Sequence, residues 1–130
     1  MKSKAVLTKD EYFRELSDTP KISWPAIGLF VLGYGVFFFS TIAALDGRLP
    51  MWVACLINGF SLYVLFSPMH ESLHGTVSTS HFVNEIVGRV ALAFQIPAAP
   101  LEVARWVHLK HHANTTSEND PDNFMHHGAW

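Results

Sequence analysis

Five histidines in two tight groups are the residues of this chain best suited to chemistry. His70 and His74 lie in the stretch HESLH, and His108, His111 and His112 lie in HLKHH. Because residues three or four apart share one face of a helix, each group could direct its imidazoles to one metal ion or to two neighbouring ions. Imidazole binds zinc, copper, iron and nickel alike, so the ligand type leaves the metal open. A catalytic zinc takes only three protein ligands, so five histidines fit two ions, or one ion with spare ligands, better.

The stretch HESLH has a second interpretation as the zinc-peptidase motif H-E-x-x-H. In that motif the two histidines hold zinc and the glutamate, here Glu71, is the general base. A peptidase also needs a further acidic ligand, for which Glu102, Asp120 and Asp122 are candidates by position. This interpretation leaves HLKHH without a role.

The composition narrows the class of protein that carries these histidines. The 130-residue chain is 49% apolar and only 15% charged, against roughly 25% charged residues in soluble domains. Its formal net charge of −2 gives no indication of a nucleic-acid partner. Cys55 is the only cysteine, which excludes an intramolecular disulfide. The composition favours a chain embedded in a membrane.

Two uncharged stretches are long enough to cross a bilayer. They run from Ile22 to Leu45 and from Leu49 to Met69, and the tight polar turn DGRL joins them. Each matches the roughly 20 residues that a helix needs to span the hydrocarbon core. A buried hairpin in a soluble bundle is the alternative, but soluble core helices rarely have so long an uncharged run. The sequence therefore predicts a transmembrane hairpin with spans at about 24–45 and 50–69.

The charged residues predict the orientation of this hairpin. Residues 1–21 form a predicted cytoplasmic segment, in which Thr8 and Glu11 fit a capping box and so indicate a short helix. That segment carries five lysines and arginines, whereas the hairpin turn carries only Arg48. Positive charge favours the cytoplasmic side, so the N-terminus and the end of the second span are predicted to lie there. Trp24 and Trp52 would anchor opposite interfaces.

The segment that follows the hairpin is predicted to return the second histidine group to the same side. A helix is indicated over Asn84 to Phe94, with Glu85 and Arg89 at a spacing that suits an ion pair. The uncharged stretch from Val90 to Leu101 is about half a membrane crossing and two prolines interrupt it. We therefore expect an interfacial or re-entrant helix rather than a third span. The histidine-bearing helix should end near Asn114, where a polar loop begins.

The flanks of both histidine groups resemble those of a known family. HESLHGT is similar to H-[DE]-x-x-H-G-[ST], and HLKHHANTTSENDPD is similar to H-x-x-H-H followed by a D-P-[DE] loop. These are the first two histidine boxes of the membrane fatty acid desaturase superfamily, and the resemblance covers roughly residues 20–125. It implies an all-α integral membrane fold: a transmembrane hairpin, an interfacial or re-entrant helix, and histidine-bearing helix ends on the cytoplasmic side.

The resemblance also implies a cofactor, partners and site residues. The superfamily holds two non-haem iron ions in histidines and uses dioxygen with electrons from a soluble donor of the ferredoxin or cytochrome type. It oxidises unactivated C–H bonds of lipid chains. By this likeness the iron ligands would be His70, His74, His108, His111 and His112. Asp120 and Asp122 could orient ligating imidazoles from behind, or they could simply form a polar turn.

One departure from the family pattern concerns a third histidine box, H-x-x-H-H, expected far downstream. His126 and His127 are a bare pair that lies too close to the second box to replace it. We therefore expect residues 22–130 to be the N-terminal part of a desaturase-like membrane domain, with an incomplete iron site and no activity alone.

Several functions remain compatible with these residues. Acyl desaturation is the first expectation because the flanks of both boxes match that pattern best. Carotenoid hydroxylases and ketolases and alkane hydroxylases of the same superfamily share the boxes, and ENDPDNF also resembles the aspartate-rich loop of the carotenoid enzymes. A zinc peptidase and a non-catalytic membrane hairpin that binds metal are more distant alternatives. Substrate, regiochemistry, electron donor and oligomeric state are not encoded in any pattern recognised in the sequence.

Overall fold

The computed structural model describes residues 20–115 and 117–121. Within this part of the chain the secondary structure consists of four helices and no strand, apart from one isolated bridge between Ile22 and Ser78. The helices are α1 (Trp24–Leu45), α2 (Met51–His74), α3 (His81–Gln95) and α4 (Leu101–Asn114). The all-α prediction is confirmed for this part. The short helix predicted around Thr8 and Glu11 lies outside the described residues.

The first two helices form the predicted hairpin. Pro25 occupies the first turn of α1, where a missing N–H costs no helical hydrogen bond. After Leu45 the chain reverses through DGRL, in which Gly47 adopts a left-handed φ of 72°. Such a backbone angle is readily available to glycine, so this residue permits the tight turn into α2.

The hairpin packs closely at one glycine and is joined by a polar contact. A Cβ on Gly33 would lie 2.8 Å from Cγ of Leu65, so α1 and α2 approach closely there. Closer to the hairpin turn, Asn58 contacts the hydroxyl of Ser40 and donates a 2.9 Å hydrogen bond from Nδ2 to Oγ1 of Thr41. Small residues and hydrogen-bonded polar side chains are typical of helix contacts in membranes.

Much of the apolar surface of the hairpin is exposed. In the most apolar 18-residue stretches of α1 and α2, only 17% and 22% of the residues are buried. Large side chains such as Phe39, Phe60 and Tyr63 are 78%, 67% and 76% exposed. At 1.5 Å per residue, the 22 residues of α1 extend about 33 Å, which is sufficient for a hydrocarbon core. Both helices are therefore long and apolar enough to cross a bilayer, and neither is the buried helix of a soluble core.

The second helix extends beyond its predicted span. The uncharged stretch ends at Met69, but α2 continues to His74 and includes a buried Pro68 in its interior. Hydropathy indicates which residues can lie in lipid, but it does not indicate where a helix ends. His70 and His74 consequently lie on the last turns of α2 itself.

The shorter helices pack beneath the histidine end of α2. The helix predicted over Asn84 to Phe94 is confirmed within α3, and the predicted interruption is the break between Gln95 and Leu101. The fourth helix ends at Asn114, as predicted. Side chains from three helices form the core at this end: Met69, Leu73, Ala91, Leu92 and Leu101.

Hydrogen bonds from the loop between α2 and α3 join the histidine end of α2 to the start of α1. The buried side chain of Asn84 accepts hydrogen bonds from the backbone N–H groups of Val77 and Ser78 at 3.1 and 3.3 Å. The N–H of Ser23 donates to the carbonyl of Val77 at 2.7 Å, and the Ser78 hydroxyl donates to the carbonyl of Lys21. The histidine end of α2 and the N-terminal end of α1 therefore lie together, opposite the hairpin turn.

Candidate metal centre

The first histidine pair is held by a complete helix C-cap. His70 and His74 are one turn apart, with ring centroids separated by 4.8 Å. Directly after them, Gly75 has a left-handed φ of 74° and donates its N–H to the Ser72 carbonyl, while Thr76 N–H donates to the Glu71 carbonyl. These two bonds form a Schellman motif, which requires glycine or a similar residue at the left-handed position. The Gly-Thr that follows HESLH thus terminates the helix at the pair.

The second pair comes from α4 and faces the first. His108 and His112 are four residues apart, and their Nε2 atoms are 3.1 Å apart. Nε2 of His108 lies 2.9 Å from Nε2 of His74. The rings of His70 and His108 are separated by 4.5 Å, and those of His74 and His112 by 4.9 Å. Two histidine pairs that are 34 residues apart in the sequence therefore form one cluster.

The cluster has the donors and spacing that a transition-metal ion needs. One ligand atom from each of His70, His74, His108 and His112 lies within 4.8 Å of the others. Two neighbouring nitrogen ligands of an ion with bonds of about 2.1 Å are about 3.0–3.4 Å apart, close to the observed Nε2 separations. Without metal, the same spacing suits a hydrogen bond from a ring nitrogen that carries a hydrogen to a ring nitrogen that does not. The residues present therefore fit a metal site.

Electrostatics favours the neutral imidazole form that binds metal. Burial, together with repulsion from the neighbouring His70, His74 and His112, lowers the pKa of His108 to about 4. At neutral pH this side chain is therefore uncharged and has a nitrogen lone pair to offer.

The fifth histidine has a different partner. His111 lies outside the group of four, and its Nδ1 is 2.7 Å from Oδ1 of Asp120, which is only 3% exposed. Because an ionised carboxylate can only accept, Nδ1 carries the proton in this contact, and Nε2 is the nitrogen that could bind a metal ion. Asp122, the other predicted orienting residue, and the pair His126 and His127 lie outside the described residues.

The acidic residues of the peptidase interpretation contact other groups. The carboxylate of Glu71 accepts a hydrogen bond from the Thr76 hydroxyl, and Glu102 pairs with Arg89. Asp120 faces His111 instead of the four-histidine cluster. Within the described part of the chain, imidazoles and not a carboxylate accompany His70 and His74 in the candidate metal group.

An apolar cavity adjoins the cluster. It has a volume of about 300 Å³ and reaches two of the histidines, His70 and His108. The other lining residues are apolar: Phe66, Met69, Leu73, Leu92, Ile96, Ala99, Val103, Ala104 and Val107. An apolar group placed there would lie next to the metal-binding side chains.

Sequence reasoning missed the residues that hold the two pairs together. Gly88 of α3 lies against Ser72 and Leu101, so that three helices meet at a residue without a side chain. Arg105 lies one turn before His108 and pairs with Glu85 at 2.8 Å. An arginine three residues ahead of a histidine box was the available signal, although its partner is 20 residues away.

The comparison with family models agrees with the geometry. The model described as "Fatty acid desaturase" matches residues 47–130, which include α2, α3, α4 and both histidine groups. The chain belongs to the fatty acid desaturase family. No curated protein and no solved structure matches it. The matched residues of this desaturase-family chain include HESLH and HLKHH, and four of the five histidines expected as ligands lie together.

Proposed function

We propose that this chain carries part of the iron centre of an oxygen-dependent membrane oxidoreductase that modifies lipids, and specifically an acyl desaturase. The observation that carries the proposal is the convergence of His70, His74, His108 and His112 within 4.8 Å in a chain of the desaturase family. The match of both box flanks to the acyl desaturase pattern supports desaturation over hydroxylation.

The histidine side chains have different roles in binding two iron ions. The four clustered imidazoles bind as neutral ligands, and His111 supplies a further nitrogen whose direction Asp120 fixes. When bound, the iron pair uses dioxygen and externally supplied electrons to oxidise a C–H bond of the lipid chain. The apolar cavity beside His70 and His108 holds that chain next to the iron ligands.

The membrane supplies the substrate in this proposal. Helices α1 and α2 cross the bilayer, and the N-terminus and both boxes lie on the cytoplasmic side, where a soluble ferredoxin- or cytochrome-type donor delivers electrons. The exposed apolar surface of both helices and the lysines and arginines ahead of α1 support this placement. An acyl chain then reaches the cavity from within the lipid, with its polar end near the surface.

The proposal is tested by expressing the complete reading frame that contains this chain in a host lacking the corresponding desaturase. Iron bound to the purified protein and the acyl-chain profile of the membranes are both measured. We expect bound iron and new double bonds for the wild type, and less bound iron with no new double bonds for His74→Ala. His81→Ala is the matched control, because His81 is 85% exposed and lies outside the cluster.

Other outcomes distinguish the alternatives. Hydroxylated or ketone-bearing lipids, with iron bound, would assign the chain to the hydroxylase branch of the superfamily. A protein that binds one zinc ion and loses peptide hydrolysis in Glu71→Gln would contradict the proposal. In a desaturase, Glu71→Gln should still bind iron, because the Glu71 carboxylate contacts Thr76 and is not part of the cluster.

A further inference from the structure

The fourth helix has few contacts that could fix the position of its histidines. Leu101, in its first turn, is the only residue of α4 that is buried, and it packs into the core below the cluster. The two clustered histidines, His108 and His112, lie two and three turns further along. Some other interaction must set their distance from the pair on α2.

Arg105 lies between that buried leucine and the histidines, and it reaches both neighbouring helices. Its Nη2 is 2.8 Å from Oε1 of Glu85 on α3. The same atom is 3.5 Å from the carbonyl oxygen of Ser72, between His70 and His74 on α2. That carbonyl belongs to the last turn of α2, where it already accepts the Gly75 N–H, and its oxygen has a second lone pair for a cationic donor.

Glu85 is built to hold this guanidinium in place. Its side chain is only 15% exposed, and its other carboxylate oxygen accepts a 2.9 Å hydrogen bond from Arg89 on the same helix. The contact with the Arg105 guanidinium is the largest of the effects that keep the pKa of the Glu85 carboxyl below its usual value. The carboxylate is therefore ionised and partly desolvated, which strengthens the pair relative to an exposed one.

We propose that Arg105 is a positioning residue of the metal centre: held by Glu85, its guanidinium fixes α4 against the last turn of α2 and so sets the spacing between the two histidine pairs. The proposal rests on the proposed function only in taking the clustered histidines as metal ligands. Its geometric part, the alignment of two helices, holds without metal.

Arg89 provides a matched control. It also pairs with Glu85, and it contacts Glu102 on α4, so its removal deletes one positive charge and one Glu85 contact. In the described part of the chain, the ion pairs of Arg89 join α3 and α4 and do not reach α2, so its removal leaves the contact between Arg105 and α2 intact. Arg105→Met and Arg89→Met are compared with Arg105→Lys, which keeps the positive charge but replaces the planar guanidinium with a shorter ammonium group.

The first measurement is Co²⁺ binding to the purified protein, followed by its visible absorption spectrum. Arg105→Met should weaken binding about 10–100-fold, as loss of an outer supporting residue typically does, and should change the spectrum. Arg105→Lys should recover part of the affinity, and Arg89→Met should leave both readouts near wild type. The melting temperature is recorded for each variant, because a merely structural role would lower stability without altering the spectrum of the bound ion.

The second measurement reports helix alignment in metal-free protein. Spin labels at Ser67 on α2 and Ala113 on α4, both exposed, are placed in a Cys55→Ser background, and their distance distribution is measured by pulsed electron resonance. Arg105→Met should broaden this distribution, and Arg89→Met should not. An unchanged distance distribution together with unchanged Co²⁺ affinity in Arg105→Met would overturn the proposal. Equal broadening and an equal loss of affinity in Arg89→Met would also overturn it. A wild type that binds no Co²⁺ but shows the broadening would contradict the metal function and leave the positioning role supported.

Discussion

Replacement of Gly88 by alanine tests the packing beneath the histidine cluster, because packing and helix propensity predict opposite effects on the stability of the protein. A Cβ at this position would collide with the Ser72 hydroxyl and lie 2.9 Å from Cδ1 of Leu101. Neither neighbour can move easily, because the Ser72 hydroxyl donates a 2.6 Å bond to the Met69 carbonyl and Leu101 is 1% exposed. The structure therefore predicts overpacking at a residue where helix propensity alone predicts stabilisation.

The magnitude follows from a comparison with Gly59, a helical glycine with open space around its Cβ position. Alanine in place of glycine favours a helix by about 1 kcal/mol at either site, and that contribution cancels between the two variants. The remaining difference is the cost of overpacking, about 1–3 kcal/mol. Gly88→Ala should therefore be less stable than Gly59→Ala by about this amount.

Unfolding of both variants in detergent micelles, followed by circular dichroism, measures this difference. The same samples are titrated with Co²⁺, since a shift of Leu101 would move α4 and weaken the site in Gly88→Ala alone. Equal stabilities for the two alanine variants would refute the packing account. So would a Gly88→Ala protein more stable than the wild type.

Three further predictions concern polar groups around the site. The contact with Arg105 is the main cause that holds the pKa of the Glu85 carboxyl below its ordinary value of 4.5, so the unfolded chain binds more protons than the folded one. The stability that this contact provides above pH 4.5 should therefore fall as the pH drops below that value, and Glu85→Gln should lose this dependence. Asp120→Asn should weaken metal binding about 10–100-fold, because an amide no longer dictates which nitrogen of His111 carries the proton. Asn84→Ala should lower the free energy of unfolding by about 1–3 kcal/mol, because it leaves buried backbone N–H groups without their acceptor.

Each of these predictions has an exposed residue of the same type as its control. Glu118→Gln should keep the wild-type pH dependence, Asp46→Asn should keep the metal affinity, and Asn119→Ala should keep the stability. The electrostatic account fails if Glu85→Gln retains the full acid sensitivity. The orienting role of Asp120 is contradicted by unchanged affinity in Asp120→Asn, and the role of Asn84 by a loss no larger than that of Asn119→Ala.

The helices were predictable from the sequence where local signals act alone. Uncharged runs located the hairpin, two prolines located the break before α4, and the polar run after HLKHH located its end. The second helix continues five residues past the predicted span at 50–69, because hydropathy set the span whereas the helix ends at Gly75. The ion pair expected between Glu85 and Arg89 on the basis of spacing is present at 2.9 Å.

The site was predictable in its ligand types but not in its assembly. Spacing alone placed His108 and His112 on one face, and in the fold both join the pair from α2. It did not reveal that His111 would face Asp120, because that depends on the path of the loop after α4. The contacts of Gly88 and Arg105 bridge residues 13 to 33 positions apart, which no helical periodicity encodes.

X-ray absorption spectroscopy of the iron-loaded protein tests the central claim, that the two histidine boxes share one metal centre. The account predicts a nitrogen-rich ligand shell with the multiple-scattering pattern of imidazole. The fitted imidazole number should fall both in His74→Ala, from the first box, and in His112→Ala, from the second, while His81→Ala leaves it unchanged. A shell without imidazole, or one that loses imidazole in only one of the two box variants, would contradict it.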